Sequence, residues 1–202
     1  MTYQWGNNHG SIMEINGKWY VFYHRQTGVN EFSRQAMLEP IDVAMGKDGL
    51  LYIGDVKYLN GEPVSSGPVE MTSQGAHING LDAYKWISAG YACHIYGSST
   101  RAYIRPGYEK REDISTPVVN MSSGTTVGFR YLQFGNNTPK QVQIVLGAHK
   151  NLKVNVRTDS YRGRIVACAN FEENEIDKIV DLTSAVIGKH AVYFEFLSEE
   201  AG

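Results

Sequence analysis

Hydrophobic and polar positions first fall into a regular pattern at residues 11–15 and 18–23, two apolar-rich runs divided by Asn16-Gly17. Asn-Gly suits the type I′ turn of a two-residue hairpin, because both central residues need positive φ. In the second run Trp19, Val21 and Tyr23 point one way, and Tyr20, Phe22 and His24 the other. Both faces are rich in apolar and aromatic groups, which predicts a strand covered on both sides. Just ahead, Asn7-Asn8-His9-Gly10 sets a polar cluster against this apolar hairpin. A third strand is expected at 32–39, ended by Pro40, which has no N–H to give a ladder. A turn at 46–49 leads to a fourth strand at 50–57. Together they predict a four-stranded antiparallel meander of the propeller-blade type. One blade is a repeat that needs stacked neighbours, and no second copy of the pattern follows.

Residues 59–79 read as a linker, punctuated by Gly61, Pro63, Ser65, Ser66, Gly67 and Pro68. From Leu81 to Tyr96 the positions Ala83, Trp86, Ile87 and Tyr91 fit either one side of a short helix or a crossing strand. Beyond Ala102 the pattern is all β. Strands are expected at 118–121, 126–134, 141–146, 152–157, 164–169, 176–181 and 190–197. Val142, Ile144 and Leu146 alternate with Gln141, Gln143 and Val145, and Leu152, Val154 and Val156 with Lys153, Asn155 and Arg157. The first set in each case points inward. Gly124, Gly135, Gly147, Gly163 and Gly188 fall between runs, giving the regular turn spacing of a two-sheet sandwich. The expected organisation is all-β: a blade at 1–58, a linker at 59–90 and a jelly-roll β-sandwich at 91–202.

Composition narrows the function classes. With 202 residues, 42% hydrophobic and 20% charged, the chain has the make-up of an ordinary globular protein. A net charge of −2 gives no electrostatic reason to bind nucleic acid or an anionic membrane. No apolar run approaches a membrane span, and the opening MTYQWGNNHG does not read as a signal peptide. The two cysteines, Cys93 and Cys168, are expected as free buried thiols. Among 13 Tyr, 7 Phe and 3 Trp, most rings serve the sheets. Tyr103, Tyr108 and Tyr161 lie near expected loops and are the candidates for a wet groove, where a flat amphipathic ring suits the apolar face of a sugar.

Taken alone, His9 beside a strand reads as a hydrogen-bonded structural residue. Calcium prefers oxygen ligands, so a water-mediated contact would be the easier role for it. Arg34 lies between Phe32 and Ala36 on one strand face, where an unpaired guanidinium would be costly. It is expected to meet a carboxylate in a salt bridge or a polar ligand.

The run NNHGSIMEINGKWYVFYHR followed by FSRQAMLEPI resembles the closing part of the five-bladed propeller of glycoside hydrolase family 43. That family includes β-xylosidases, α-L-arabinofuranosidases and arabinanases. The resemblance implies that His9 lies at the propeller axis near a structural Ca2+ ion or its water shell. It implies that Arg34, with Asn8 nearby, contacts the sugar. The family's mechanism needs an acid carboxyl and a base carboxylate flanking the glycosidic bond, and in the family these come from earlier blades. Glu14, Glu31, Glu39, Asp42 and Asp55 match none of its motifs and are expected as surface or strand-edge charge. No catalytic residue is assigned, and no hydrolysis by this chain alone is expected.

The runs VVNMSSGTTVGFRYLQFG, LKVNVRTDSYRGRIVA and GKHAVYFEF resemble a family 6 carbohydrate-binding module, a jelly roll often joined to family 43 enzymes. There the sugar cleft commonly uses a Trp in the loop before the GxH strand. Here that loop reads NFEENEIDKIV and has no Trp. The family's further strand after the one ending at Phe196 is also not matched, the chain running only to LSEEAG.

Two functions follow from these readings. One is the C-terminal part of a polysaccharide-degrading glycosidase, secreted or periplasmic, that meets a plant-type polysaccharide or oligosaccharide such as xylan or arabinan. The other is a non-catalytic carbohydrate-binding or structural sandwich capped by the blade. Either way the blade's apolar faces need cover, from within the chain or from self-association.

Overall fold

The computed structural model describes residues 9–26, 34–69, 80–97, 102–104 and 116–198. They form two compact units that divide between residues 79 and 80. Among the described residues there is no α-helix, only one 3-10 turn at Ala89–Tyr91, and no helix is long and apolar enough to cross a membrane.

The first unit is one sheet whose strands lie in chain order: β1 (Ser11–Ile15), β2 (Lys18–Gln26), β3 (Arg34–Met45), β4 (Leu51–Leu59) and β5 (Glu62–Gly67). The opening hairpin forms as its sequence dictates. Ile15 faces Lys18 across Asn16 and Gly17, whose φ values of 51° and 75° are those of a type I′ turn. Trp19 to His24 are half-buried on both faces of β2.

Three expectations change here. Pro40 does not end its strand, because β3 pairs with β2 along 34–41 and with β4 only along 42–45. Proline's missing N–H therefore falls short of the second ladder. The segment read as a linker begins with a second Asn-Gly turn, Asn60 and Gly61 at φ 52° and 80°, which adds β5 as a fifth strand. Glu39 is not surface charge: it is 1% exposed and accepts a hydrogen bond from Tyr23 Oη at 3.1 Å.

The second unit is a sandwich. Its elements are β6 (Leu81–Asp82), β7 (His94–Tyr96), β8 (Tyr103–Ile104), β9 (Val118–Val119), β10 (Thr125–Gly135), β11 (Gln141–Val145), β12 (Leu152–Thr158), β13 (Ile165–Phe171), β14 (Asp177–Asp181) and β15 (Gly188–Ser198). The stretch left open between helix and strand thus becomes two short strands and the 3-10 turn. The main sheet runs β13-β12-β15-β10-β6, with β7 also paired to β10. One face of it supplies Val127, Phe129, Val154, Val156, Ala167, Ala169, Phe171 and Val192 to a single core. Two-stranded sheets, β11-β14 and β8-β9, supply Ile144, Val142, Val180 and Val118 to the same core and form the opposite layer. Both cysteines are free, but Cys168 is exposed and Cys93 half-buried rather than buried. Cys168 faces Asn155, on the side of the sheet away from the core.

Candidate functional site

The site is built on that second face of the main sheet. Alternation gives each strand one core-facing and one outward set. Register then aligns the outward sets into rungs. Asn155 pairs with Glu195, and Glu195's strand neighbour across the sheet is Thr126, which pairs in turn with Tyr96. The next rung is Arg157, Tyr193, Gly128 and His94.

Gly128 explains the second rung. A Cβ there would lie 2.5 Å from the Tyr193 ring, so the phenol crosses β10 directly over bare backbone. Tyr193 is 1% exposed although it lies on the outward face. Its hydroxyl accepts a hydrogen bond from Arg130 Nε at 2.8 Å, and the His94 ring meets it edge to face at 5.4 Å. His94 Nε2 lies 2.9 Å from Thr126 Oγ1. Tyr161, from the loop between β12 and β13, stacks on His94, with centroids 5.8 Å apart and planes at 15°. The Arg162 guanidinium stands 5.1 Å over the Tyr161 ring. Tyr161 is 42% exposed and thus presents an aromatic surface to solvent.

Beside this stack lies a polar network. Glu195 Oε2 accepts from Asn155 Nδ2 at 2.9 Å, Arg157 Nε at 3.1 Å and Arg157 Nη2 at 2.8 Å. Arg157 Nη1 donates to the Gly163 carbonyl at 2.9 Å and so ties the Tyr161 loop to the sheet. Burial works against the Glu195 charge, but the hydrogen bonds from Asn155 and Arg157 outweigh it and hold its carboxyl below the usual value of 4.5. Burial likewise opposes the Arg130 charge, and the bond to Tyr193 with nearby partial charges leaves that guanidinium above its usual value. Asn155 is only 5% exposed, where its place in the alternation predicts an outward residue. Its buried Oδ1 has no hydrogen-bond partner. The network thus offers an acceptor, a held guanidinium and an aromatic surface, groups suited to hydroxyl-rich ligands.

Of the described residues singled out by sequence, Tyr161 falls in this cluster and His9 does not. Asn8 and Tyr108 lie outside the described residues, as do the side chains of Arg34, at the start of β3, and Tyr103, on β8. His9 is exposed in the first unit, its ring 6.3 Å from that of His24. Two imidazoles do not make the oxygen-rich shell calcium prefers, and among the described residues no group of three or more His, Cys, Asp or Glu is placed to hold a metal. No role for calcium is derived from them. Sequence reasoning missed His94, Asn155, Arg157, Tyr193 and Glu195. Their signal was the polar half of the alternation in three strands. It becomes a site only when β12, β15, β10 and β7 are known to be neighbours.

No family model matches the chain. The chain is 31% identical over 209 residues to a xylosidase/arabinosidase of Thermoclostridium stercorarium, an alignment spanning 96% of this chain and 40% of that protein. A glycoside hydrolase family 43 arabinoxylan arabinofuranohydrolase from Bacillus subtilis, solved in complex with cellotetraose, has the same fold over 98% of this chain and 39% of its own. The TM-score is 0.61 and the identity 19%. A family 6 carbohydrate-binding module superposes on 58% of this chain and 88% of its own, at TM-score 0.47 and 18% identity. The chain therefore spans about two fifths of the length of the curated relative it matches, 40%.

Proposed function

From its kinship to a xylosidase/arabinosidase along nearly its whole length, we propose that this chain is the propeller-type sheet and carbohydrate-binding sandwich of a polysaccharide-degrading glycosidase. The activity of the whole protein is of the β-xylosidase/α-L-arabinofuranosidase type. The observation that carries this reading is the 31% identity over 96% of the chain, which includes both units rather than one. The sandwich holds a xylan- or arabinan-type chain, with the exposed Tyr161 ring as the aromatic contact and the Asn155–Glu195–Arg157 network beside it as hydrogen-bonding groups. Substrates of this kind are polymers too large to cross a membrane intact, which favours action outside the cytoplasm. The chain's own contribution is binding rather than hydrolysis, since the general acid and base of the reaction match no motif in it.

Affinity electrophoresis of the chain through soluble arabinoxylan and through linear arabinan tests the binding. Retardation relative to a non-binding control protein is expected. In Tyr161→Ala it should fall several-fold, taking aromatic stacking as worth about 1 kcal/mol. Equal mobility with and without polysaccharide would remove the binding role. Retardation unchanged in Tyr161→Ala would move the site elsewhere on the sandwich.

A further inference from the structure

The loop between β12 and β13 carries a cation that no carboxylate among the described residues answers. Arg162 is exposed, and its guanidinium stands over the ring of its neighbour Tyr161. The other charges around it are engaged elsewhere. Asp159, in the same loop, has Oδ1 2.8 Å from His190 Nδ1. Glu195 pairs with Arg157 at 2.8 Å. Arg130 donates to the Tyr193 hydroxyl, and Arg164 Nη2 to the Ala185 carbonyl at 3.3 Å. Lys153 lies at the far end of β12 from this loop. The loop itself is tightly built. Ser160 N–H donates to the Thr158 carbonyl and Gly163 N–H to the Ser160 carbonyl, both at 2.8 Å. Arg162 N–H donates to Ser160 Oγ at 3.2 Å. A Cβ at Gly163 would stand 2.0 Å from the Thr158 carbonyl oxygen, so the turn closes this tightly only on glycine.

We propose that Arg162 captures the carboxylate of a uronic acid side group on a xylan-type chain, so that the sandwich prefers acidic xylan to neutral xylan. This rests on Tyr161 being the sugar contact. A guanidinium is a planar fork of N–H donors that fits a carboxylate through two parallel bonds, and the aromatic ring beneath it offers those donors no oxygen. Xylan-type polymers carry neutral pentose or uronic acid side groups. A pentose offers only hydroxyls, which bind a guanidinium less strongly than a carboxylate does. A polymer charged on every residue fits worse, because the network beside the stack already holds the Glu195 carboxylate and would meet a second anion there. The site suits a largely neutral chain with an isolated anion. The net charge of the whole chain is −2, so the preference does not come from a general attraction for polyanions.

The test titrates the whole chain, labelled with nitrogen-15, with xylotriose bearing a single glucuronic acid, with the same compound after reduction of its carboxyl to an alcohol, and with a trimer of galacturonic acid. In low salt the acidic xylo-oligosaccharide should bind about threefold tighter than its reduced form, the worth of one exposed charge-assisted pair. Added sodium chloride should shrink that advantage, since an exposed pair is screened. In Arg162→Gln the acidic and reduced sugars should bind alike, and in Tyr161→Ala both should weaken. Equal binding of the two by the unaltered chain overturns the carboxylate inference and leaves sugar binding at Tyr161 standing. No binding of either xylo-oligosaccharide refutes both. An acid preference that survives in Arg162→Gln, or a galacturonic trimer bound as tightly as the acidic xylo-oligosaccharide, also overturns the inference.

Discussion

In the five-stranded sheet the buried apolar side chains come down to Met37 and Val56, while Met45, Leu51, Ile53 and Leu59 stand in solvent. In the sandwich, strands of similar length bury a shared core that reaches from Leu81 to Val192. Both are antiparallel and both begin from alternating sequence. The difference lies in what holds the strands in register. In the first unit register is set locally, by two Asn-Gly turns and short connections. In the sandwich it is set by distant pairings such as Val154 with Phe196 and Val127 with Phe194, which only a common core rewards. A sheet fixed by its turns can leave its apolar face unburied, and that face is then where another surface would gain most.

The largest test of the contrast is a pair of truncations. Phe171→Ala, at 2% exposure, should cost about 3–5 kcal/mol in chemical denaturation followed by a sandwich-specific probe. Leu51→Ala, at 52% exposure, should cost no more than about 0.5 kcal/mol. If Leu51→Ala costs as much, the row is covered in solution. Sedimentation should then show self-association that Leu51→Asp abolishes.

A second test weighs the polar network against the core. Arg157→Met leaves Glu195 half-buried without its guanidinium and should destabilise the sandwich by about 2 kcal/mol. Replacing both, Arg157→Met with Glu195→Leu, should recover much of that loss. Full additivity of the two single effects would mean the pair is not coupled.

The network also sets an acid limit. The Glu195 carboxyl is held below its usual 4.5, with burial opposing its charge and the Asn155 and Arg157 bonds outweighing it. Glu175 is likewise lowered, first by its hydrogen bond from Lys178. A depressed folded-state value contributes stability that is fully present above the ordinary carboxylate range and is lost as pH falls through the folded value. The denaturation midpoint should therefore drop on going from neutral to acid pH, and drop less in Glu195→Gln. An identical acid slope in the variant would show that other carboxyls set the limit.

The smallest expected effect is at the turn. Gly17→Ala meets no atom within 4 Å, but φ of 75° is strained for any L side chain. A cost of about 1 kcal/mol, confined to the first unit, is expected from amide exchange in β1 and β2.

The sequence carried the strand plan of the sandwich well, because each run there alternates and each is bounded by a glycine or a polar turn. It carried the first hairpin for the same reason. It lost β5, although Asn60-Gly61 repeats the chemistry of Asn16-Gly17, because Pro63, Ser65 and Ser66 look like linker. On an edge strand such residues are tolerated, since one side of the backbone has no ladder to fill. Glu39 was misread because a carboxylate in a strand looks like surface until Tyr23 is known to reach it diagonally from the neighbouring strand. The site on the outer face was illegible for a different reason. Asn155, Glu195, Thr126 and Tyr96 are distant in sequence and become neighbours only through strand order, which no local pattern encodes.

The Asn-Gly turns also determine how the protein ages. Glycine offers the following backbone nitrogen least steric shielding, so the Asn16 and Asn60 amides, like that of Asn79 before Gly80, are open to attack by it. Loss of ammonia and reopening of the resulting ring leaves an aspartyl or isoaspartyl residue. The isoaspartyl form routes the main chain through one more carbon and adds a negative charge at a corner only two residues wide. Because the corners at 16 and 60 hold the five-stranded sheet in register, slow chemical wear there, seen as peptides altered at residues 16 and 60, is expected to loosen that sheet, while the sandwich, pinned by its interior, keeps its pairing.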